Sequence, residues 1–177
     1  SFNTMADAIQ TQAQVSQNNF LGRGQSLTLM AMISAQRRQF MFRFYEPYFF
    51  DSRWTLSLSL YNQEVFYPSQ GDFGGVSKLS RGGELRFGYP VVRDLYLVAG
   101  WRISQEEVDV DNMFHAHLFK DGFTSSFTAS ALYDNRDNRM FPTNGMYHQL
   151  TFEYADDYTG SSIEFAKLEM TNQFYWN

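Results

Sequence analysis

Y-D-N-R-D-N-R-M-F-P-T-N-G-M-Y, residues 133–147, is flanked on both sides by alternating sequence. Before it, residues 126–134 alternate polar and apolar side chains; after it, residues 146–155 do so again. Period-two alternation marks a strand with one apolar face. The spacing therefore predicts two strands joined by a loop of about ten residues into a hairpin. Within the loop Pro142 presets φ, Asn144-Gly145 supplies the positive φ that returns the chain, and the Asp and Asn side chains hydrogen-bond nearby backbone. Phe141 departs from this pattern, being a large apolar residue where a turn in water is ordinarily polar. A ring at that place fits a boundary between lipid and water, where aromatic side chains settle.

Composition extends the same reading. The 177 residues suffice for one domain or for part of a larger one. Apolar residues make up 44%, yet the mean hydropathy is −0.41, and no window approaches the roughly 18 apolar residues of a membrane helix. Aromatics reach 18%, with 18 Phe and 11 Tyr. Many rings, low mean hydropathy and no helical span together suit a transmembrane β-barrel, whose inner face is polar. The chain has no Cys, which excludes disulfide and thiol chemistry. A net charge of −5 argues against nucleic acid as a partner. No signal peptide is visible and the first residue is not Met, so a processed or cut N-terminus is expected. Residues 172–177 read as an interrupted strand.

Taken in order, the chain is a series of such segments. Residues 9–17 set Ile9, Thr11, Ala13 and Val15 against Gln10, Gln12, Gln14 and Ser16, and residues 18–25 form a glycine-bearing turn. Residues 26–36 place Leu27, Leu29, Ala31 and Ile33 on one face. A tight turn at Arg37-Arg38 leads into residues 39–46, with Phe40 and Phe42 opposite Arg43. After a turn at residues 46–52, residues 53–62 form the clearest strand: Trp54, Leu56, Leu58 and Leu60 oppose Thr55, Ser57, Ser59 and Tyr61. Residues 67–81 read as a Gly/Ser-rich loop and residues 83–89 as a strand with Glu84 and Arg86 opposite Leu85 and Phe87. A turn at residues 90–94 follows, then a strand at residues 95–104 with Leu97 and Trp101 opposite Arg102. Residues 105–122 read as a long acidic loop. Beyond the opening hairpin, with Glu153 on its polar face, a turn at residues 156–161 leads to a last strand carrying Lys167 and Glu169. Ile163 and Phe165 fall out of phase there, which predicts a bulge or an emergence from lipid.

That makes nine strands. The apolar positions Leu27, Leu29, Phe40, Phe42, Trp54, Leu56, Leu58, Leu60, Leu97 and Trp101 are expected to face lipid. Arg43, Glu84, Arg86, Arg102, Glu153, Lys167 and Glu169 are expected to face a lumen. Any single strand would read the same way in a soluble sandwich. The connections favour the membrane: short or medium ones rich in aromatics and Pro alternate with long polar ones, as periplasmic turns alternate with extracellular loops.

Chemistry-bearing clusters are weak. His115 and His117 with Asp109 and Asp111 could be arranged around a metal, but no second cluster completes the set, and the segment reads as solvated loop. The D-V-D-N run at residues 109–112 lacks the Gly and distal Glu of a calcium loop. His148 shares a strand face with Leu150 and Phe152, an interfacial place and not that of a general base. No nucleophile with an acid–base partner is readable, so neither an enzyme nor a cofactor or metal site is expected.

Three turns, in order, carry a resemblance. Asn19, Leu21, Gly22 and Gly24 form an N-x-L-G-x-G turn; Pro47, Tyr48 and Phe49 follow Glu46 in an E-P-Y-F turn. Arg136 and Asp137, then Phe141, Pro142 and Gly145, form D-x-R-D-N running into F-P-T-x-G-x-Y. In these the sequence resembles the BamA family of outer-membrane barrel-assembly proteins. The resemblance implies an all-β antiparallel transmembrane barrel, with residues 1–177 a partial barrel domain giving about nine of sixteen strands. Periplasmic POTRA domains and the C-terminal strands lie outside these residues, as does the loop that carries a V/I-R-G-F/Y motif into the lumen. The implied function is folding and inserting β-barrel proteins into the Gram-negative outer membrane without nucleotide hydrolysis. Implied partners are the bilayer and its lipopolysaccharide, unfolded outer-membrane clients, assembly-complex lipoproteins and the remainder of the barrel. A polypeptide-translocating relative, such as a two-partner secretion transporter, is the alternative, and a passive porin a more distant one.

Overall fold

The computed structural model describes residues 10–20, 22–68, 75–110 and 122–176. Its strands are β1 (Thr11–Phe20), β2 (Gln25–Ile33), β3 (Arg37–Glu46), β4 (Thr55–Tyr67), β5 (Val76–Val92), β6 (Leu95–Val110), β7 (Gly122–Asp134), β8 (Gly145–Ala155) and β9 (Phe165–Tyr175). They form one nine-stranded sheet in sequence order, with β1 and β9 at its edges. The β1–β2, β7–β8 and β8–β9 pairings are antiparallel. The described helical structure consists of two 3₁₀ turns, Phe49–Asp51 and Asp157–Thr159. No helix among the described residues is long and apolar enough to cross a membrane, which says nothing of crossing by strands.

Several boundaries differ from the sequence reading. The Arg37-Arg38 turn is displaced: both arginines belong to β3, and Ala35-Gln36 makes the reversal. Ser34 and Arg37 close it, with Ser34 N–H donating to the Arg37 carbonyl at 2.7 Å and Arg37 N–H donating to Ser34 Oγ at 3.0 Å. Residues 76–81 and 105–110, read as loop, extend β5 and β6. Their charges are cross-strand partners, Lys78 with Glu106 at 3.0 Å and Arg81 with Glu107, and such pairs support a ladder that composition alone would not predict. Pro90, Val91 and Val92 also belong to β5, leaving Arg93-Asp94 as the turn. Pro90 is tolerated because β4 begins only at Thr55; the Arg53 guanidinium takes the Pro90 carbonyl at 2.7 Å instead.

The bulge expected near residues 163–165 is absent. Phe165 pairs with Ala155, and the β8–β9 register runs unbroken from there to Gly145↔Tyr175. A register shift lies instead in β1 between Asn18 and Phe20, where Asn19 takes φ 60°, so the strand continues past the predicted turn start. Leu21, His115, His117 and Asp111 lie outside the described residues.

Two compact units divide the chain: Ser1–Phe44, Leu58–Gly83 and Ile103–Phe123 in one, Tyr45–Ser57, Glu84–Arg102 and Thr124–Asn177 in the other. In the first, Ala13, Val15, Leu29, Phe40, Phe42 and Leu60 border one apolar depression, and Arg38 meets Glu64 at 3.4 Å. In the second, Trp54, Tyr89, Leu97, Leu150 and Phe152 border another; the Trp54 and Tyr89 rings lie 4.9 Å apart, with the Arg53 guanidinium 5.3 Å from the Tyr89 centroid.

Burial is inverted relative to a globular domain. The most buried described side chains are small: Ala155, Ser125, Ser126, Thr128 and Ser161. Leu29, Phe40, Trp54, Leu60, Leu97 and Trp101 are all exposed. Large apolar side chains are ordinarily the interior ones, and exposed sets of them mark interaction or membrane surfaces.

Candidate functional site

The polar face of the second unit carries a charge cluster built from four adjacent strands. Alternation places Glu84 and Arg86 on the same face of β5. Arg102 comes from β6, Ser126 from β7 and Glu153 from β8. Glu84 bridges two cations, pairing with Arg86 through one carboxylate oxygen and accepting from Arg102 Nη2 at 3.1 Å through the other. Arg102 Nη1 donates to both oxygens of Glu153, at 3.1 and 3.3 Å, and Ser126 Oγ donates to Glu153 Oε1 at 2.6 Å. Gly100 on β6 makes the arrangement possible. A Cβ there would stand 2.7 Å from Thr128 Oγ1 and 3.0 Å from Arg86 Cγ, so a side chain would displace one or the other. Beside the cluster Ser130 and Thr151 share a hydroxyl hydrogen bond of 2.9 Å.

Of the seven residues expected on the polar face, four thus meet. Lys167 and Glu169 pair with each other at 2.7 Å on β9, where Lys167 stands in register with Glu153. Arg43 is exposed on β3. Ser126, Thr128 and Gly100 were not singled out from sequence, and their one signal was a period-two position on the polar side of a strand. Of the apolar set, Leu27, Leu56 and Leu58 lie on β2 and β4 and are half-buried.

The three turns are ordered by their own polar atoms. Asn19 Oδ1 accepts from Gly24 N–H at 2.7 Å and the Asn19 carbonyl from Gly22 N–H at 3.0 Å, with Gly22 and Gly24 at φ 73° and 75°. After Pro47, Tyr48 N–H donates to Glu46 Oε1 at 3.1 Å, and Ser52 Oγ donates to the Phe49 carbonyl at 2.6 Å. Phe50 and Asp51 adopt φ of 54° and 53°, a conformation uncommon outside glycine that sequence reading did not anticipate.

In the 135–144 loop the Asp137 carboxylate is the hub. It accepts from Asn138 N–H (2.9 Å), Thr143 N–H (3.0 Å), Thr143 Oγ1 (2.6 Å) and Asn144 N–H (3.1 Å). The Thr143 hydroxyl and the backbone N–H groups of Asn144, Thr143 and Asn138 hold its carboxyl well below the ordinary carboxylate range. Arg136 folds back to Asp134 at 2.8 and 3.0 Å and lies 4.8 Å from the Tyr147 ring centroid. Gly145 takes φ 112°, and a Cβ on it would stand 2.7 Å from the Asn135 carbonyl oxygen. Beyond Pro142, which borders a pocket with Phe174 and Trp176, the loop leaves Phe141 77% exposed. Among the described residues no group of three or more His, Asp or Glu side chains is placed to hold a metal ion.

Residues 19–177 match the Omp85 superfamily domain. No curated protein matches the chain by sequence. Among solved structures the fold is similar to the crystal structure of BamA from Haemophilus ducreyi lacking POTRA domains 1–3, with a TM-score of 0.65 and 17% identity. The likeness covers 91% of this chain and 33% of that one, so the chain spans a third of the length of the protein it resembles. At this identity the likeness is one of fold.

Proposed function

The chain belongs to the Omp85 superfamily and forms nine strands of a BamA-type barrel, and we propose that the protein it is part of folds and inserts β-barrel proteins into the outer membrane of a Gram-negative bacterium. Residues 1–177 supply a partial barrel domain; the apolar face meets lipid and the face of Glu84, Arg86, Arg102 and Glu153 meets the lumen. Inverted burial carries this reading, since exposed Leu, Phe and Trp on one face and buried Ser126 and Thr128 on the other suit a sheet with hydrocarbon outside and water inside. An insertase needs no hydrolytic centre on this sheet. A strand edge in hydrocarbon can template the backbone pairing of an incoming strand, whose unpaired N–H and C=O groups would each cost several kcal/mol there. Clients are therefore unfolded outer-membrane barrels, with lipopolysaccharide and assembly lipoproteins as the surrounding partners.

The charged polar face favours one second reading, a passage for polypeptide across the membrane. A single experiment separates the two. The complete protein, reconstituted in lipid vesicles, is expected to accelerate the folding of a client barrel into those vesicles. Transfer of a soluble polypeptide to the vesicle interior without client acceleration would establish translocation instead.

A further inference from the structure

The apolar face of the second unit is not flat. Asp134 N–H donates to the Asp94 carbonyl at 2.9 Å, which sets β6 and β7 side by side. The side chains that meet there on the apolar face are short: Ala99, Ala129 and Ala131. Larger ones stand on either side. Ala129 pairs with Phe152 and Ala131 with Leu150 across β7 and β8, while Phe87 and Tyr89 rise from β5. Methyl groups between such walls leave an open trough of about 520 Å³, within the roughly 300–1,000 Å³ of small-molecule sites. A cation stands at its turn end. The Tyr89 ring lies 4.9 Å from that of Trp54 and 5.3 Å from the Arg53 guanidinium, and Arg53 Nη2 donates to the Pro90 carbonyl at 2.7 Å. That bond leaves other donors of the guanidinium available. Neighbouring arginines at this end pair with acids, Arg93 with Asp94 and both Arg136 and Arg139 with Asp134. Among the described residues Arg53 has no carboxylate partner within 4.0 Å.

We propose that the trough holds one acyl chain of a phospholipid whose phosphate rests on Arg53. This depends on the proposed facing, in which the apolar side of the sheet meets hydrocarbon. In a bilayer the trough fills with hydrocarbon, because an unfilled one forfeits the contacts of its lining. Any annular lipid supplies that much; the cation at the end singles out one molecule. Trp and Tyr side chains settle where headgroups lie, so Trp54 and Tyr89 put Arg53 at phosphate depth. A guanidinium meets a phosphate through paired charge-assisted hydrogen bonds. An unbranched chain leaving that phosphate follows the alanines between the two walls. On the proposed reading the turn at residues 46–54 is periplasmic, so the source is a phospholipid of the inner leaflet and not lipopolysaccharide.

The test uses the complete protein, purified in detergent and titrated with dioleoylphosphatidylglycerol, with tightly retained lipid counted by native mass spectrometry. One retained molecule per protein is expected. Arg53→Gln is expected to weaken its retention about tenfold, with partial recovery in Arg53→Lys. Ala129→Leu, which fills the trough and keeps every charge, is expected to weaken it as well. Ala31→Leu, which fills the apolar depression of the first unit, is expected to change nothing. Equal retention by wild type, Arg53→Gln and Ala129→Leu, or an equal loss in Ala31→Leu, means annular lipid only and overturns the site. Displacement by inorganic phosphate at equal concentration overturns the role of the chain. Displacement by oleyl alcohol as readily as by the phospholipid overturns that of Arg53. Should Arg53→Gln fail to form a barrel, the contrast between Ala129→Leu and Ala31→Leu decides. Because residues 1–177 contain no Cys, Leu150→Cys in a cysteine-free background reports the facing separately in lipid vesicles. Labelling by a water-soluble maleimide rejects the proposed facing, and protection together with no retained lipid rejects the site alone.

Discussion

At the scale of single residues, the 135–144 loop depends on two side-chain choices. Gly145 at φ 112° has backbone atoms of Asn135 and Arg136 within 3 Å of where a Cβ would lie. Gly145→Val is therefore expected to destabilise the barrel by about 1–3 kcal/mol, read as a lower urea midpoint for the complete protein in lipid; an unchanged midpoint would remove the steric account. Asp137 makes a pH-dependent contribution. Its folded carboxyl sits below the ordinary range, so the stabilisation is present in full above an unfolded pKa of about 4 and is lost as pH falls from there toward the folded value. Lowering the pH from 6 to 3 is expected to reduce the urea midpoint of wild type more than that of Asp137→Asn, which has no carboxyl to protonate. The positive φ at residue 145 was legible in the Asn144-Gly145 pair. The hub role of Asp137 was legible only as a turn propensity, because its four donors come from Asn138, Thr143 and Asn144, whose approach depends on the closed loop. Phe50 at positive φ carried no signal, since a bulky aromatic residue does not predict that conformation, whereas Asp51 is of a type that tolerates it.

At the scale of the element, alternation located all nine strands but misplaced several of their ends. β5 and β6 run on through residues 76–81 and 105–110 because Lys78, Arg81, Glu106 and Glu107 find one another across the ladder; read singly, such charges look like loop. The facing of β4 is the sharpest test of environment. Leu58→Arg is expected to lower the stability of the complete barrel in lipid by about 2–4 kcal/mol if the position lies near the bilayer midplane, while Ser57→Arg, its neighbour on the opposite face, is expected to be far milder. Folding titrations of both variants into vesicles check this, and equal losses would contradict the two-faced reading of that strand.

At the scale of the whole molecule, the order β1 to β9 leaves a sheet with two edges. Each edge in hydrocarbon presents a row of backbone groups without partners, at several kcal/mol per group. A closed ring of about this many strands leaves room only for packed interior side chains, a poor fit to the charged polar face. Residues 1–177 alone are expected to yield no protease-resistant barrel in vesicles and no acceleration of client folding. A protected monomer would show that these strands close on themselves, and client acceleration by that monomer would show that no further strands are needed for insertion.

Sequence by itself determined the fold class and the number and order of strands, and it placed the turns to within a few residues. All of these follow from local rules: side-chain alternation has a period of two, and Gly, Pro, Asn and Asp punctuate it. It also assigned Glu84, Arg86, Arg102 and Glu153 to one face, from parity alone. Tertiary structure decided which of those charges touch, that Ser126 orients Glu153, and that Gly100 is required by its neighbours' side chains. These depend on register between strands far apart in sequence, from residue 84 to residue 153, and a one-residue slip between them would send every partner to the other face.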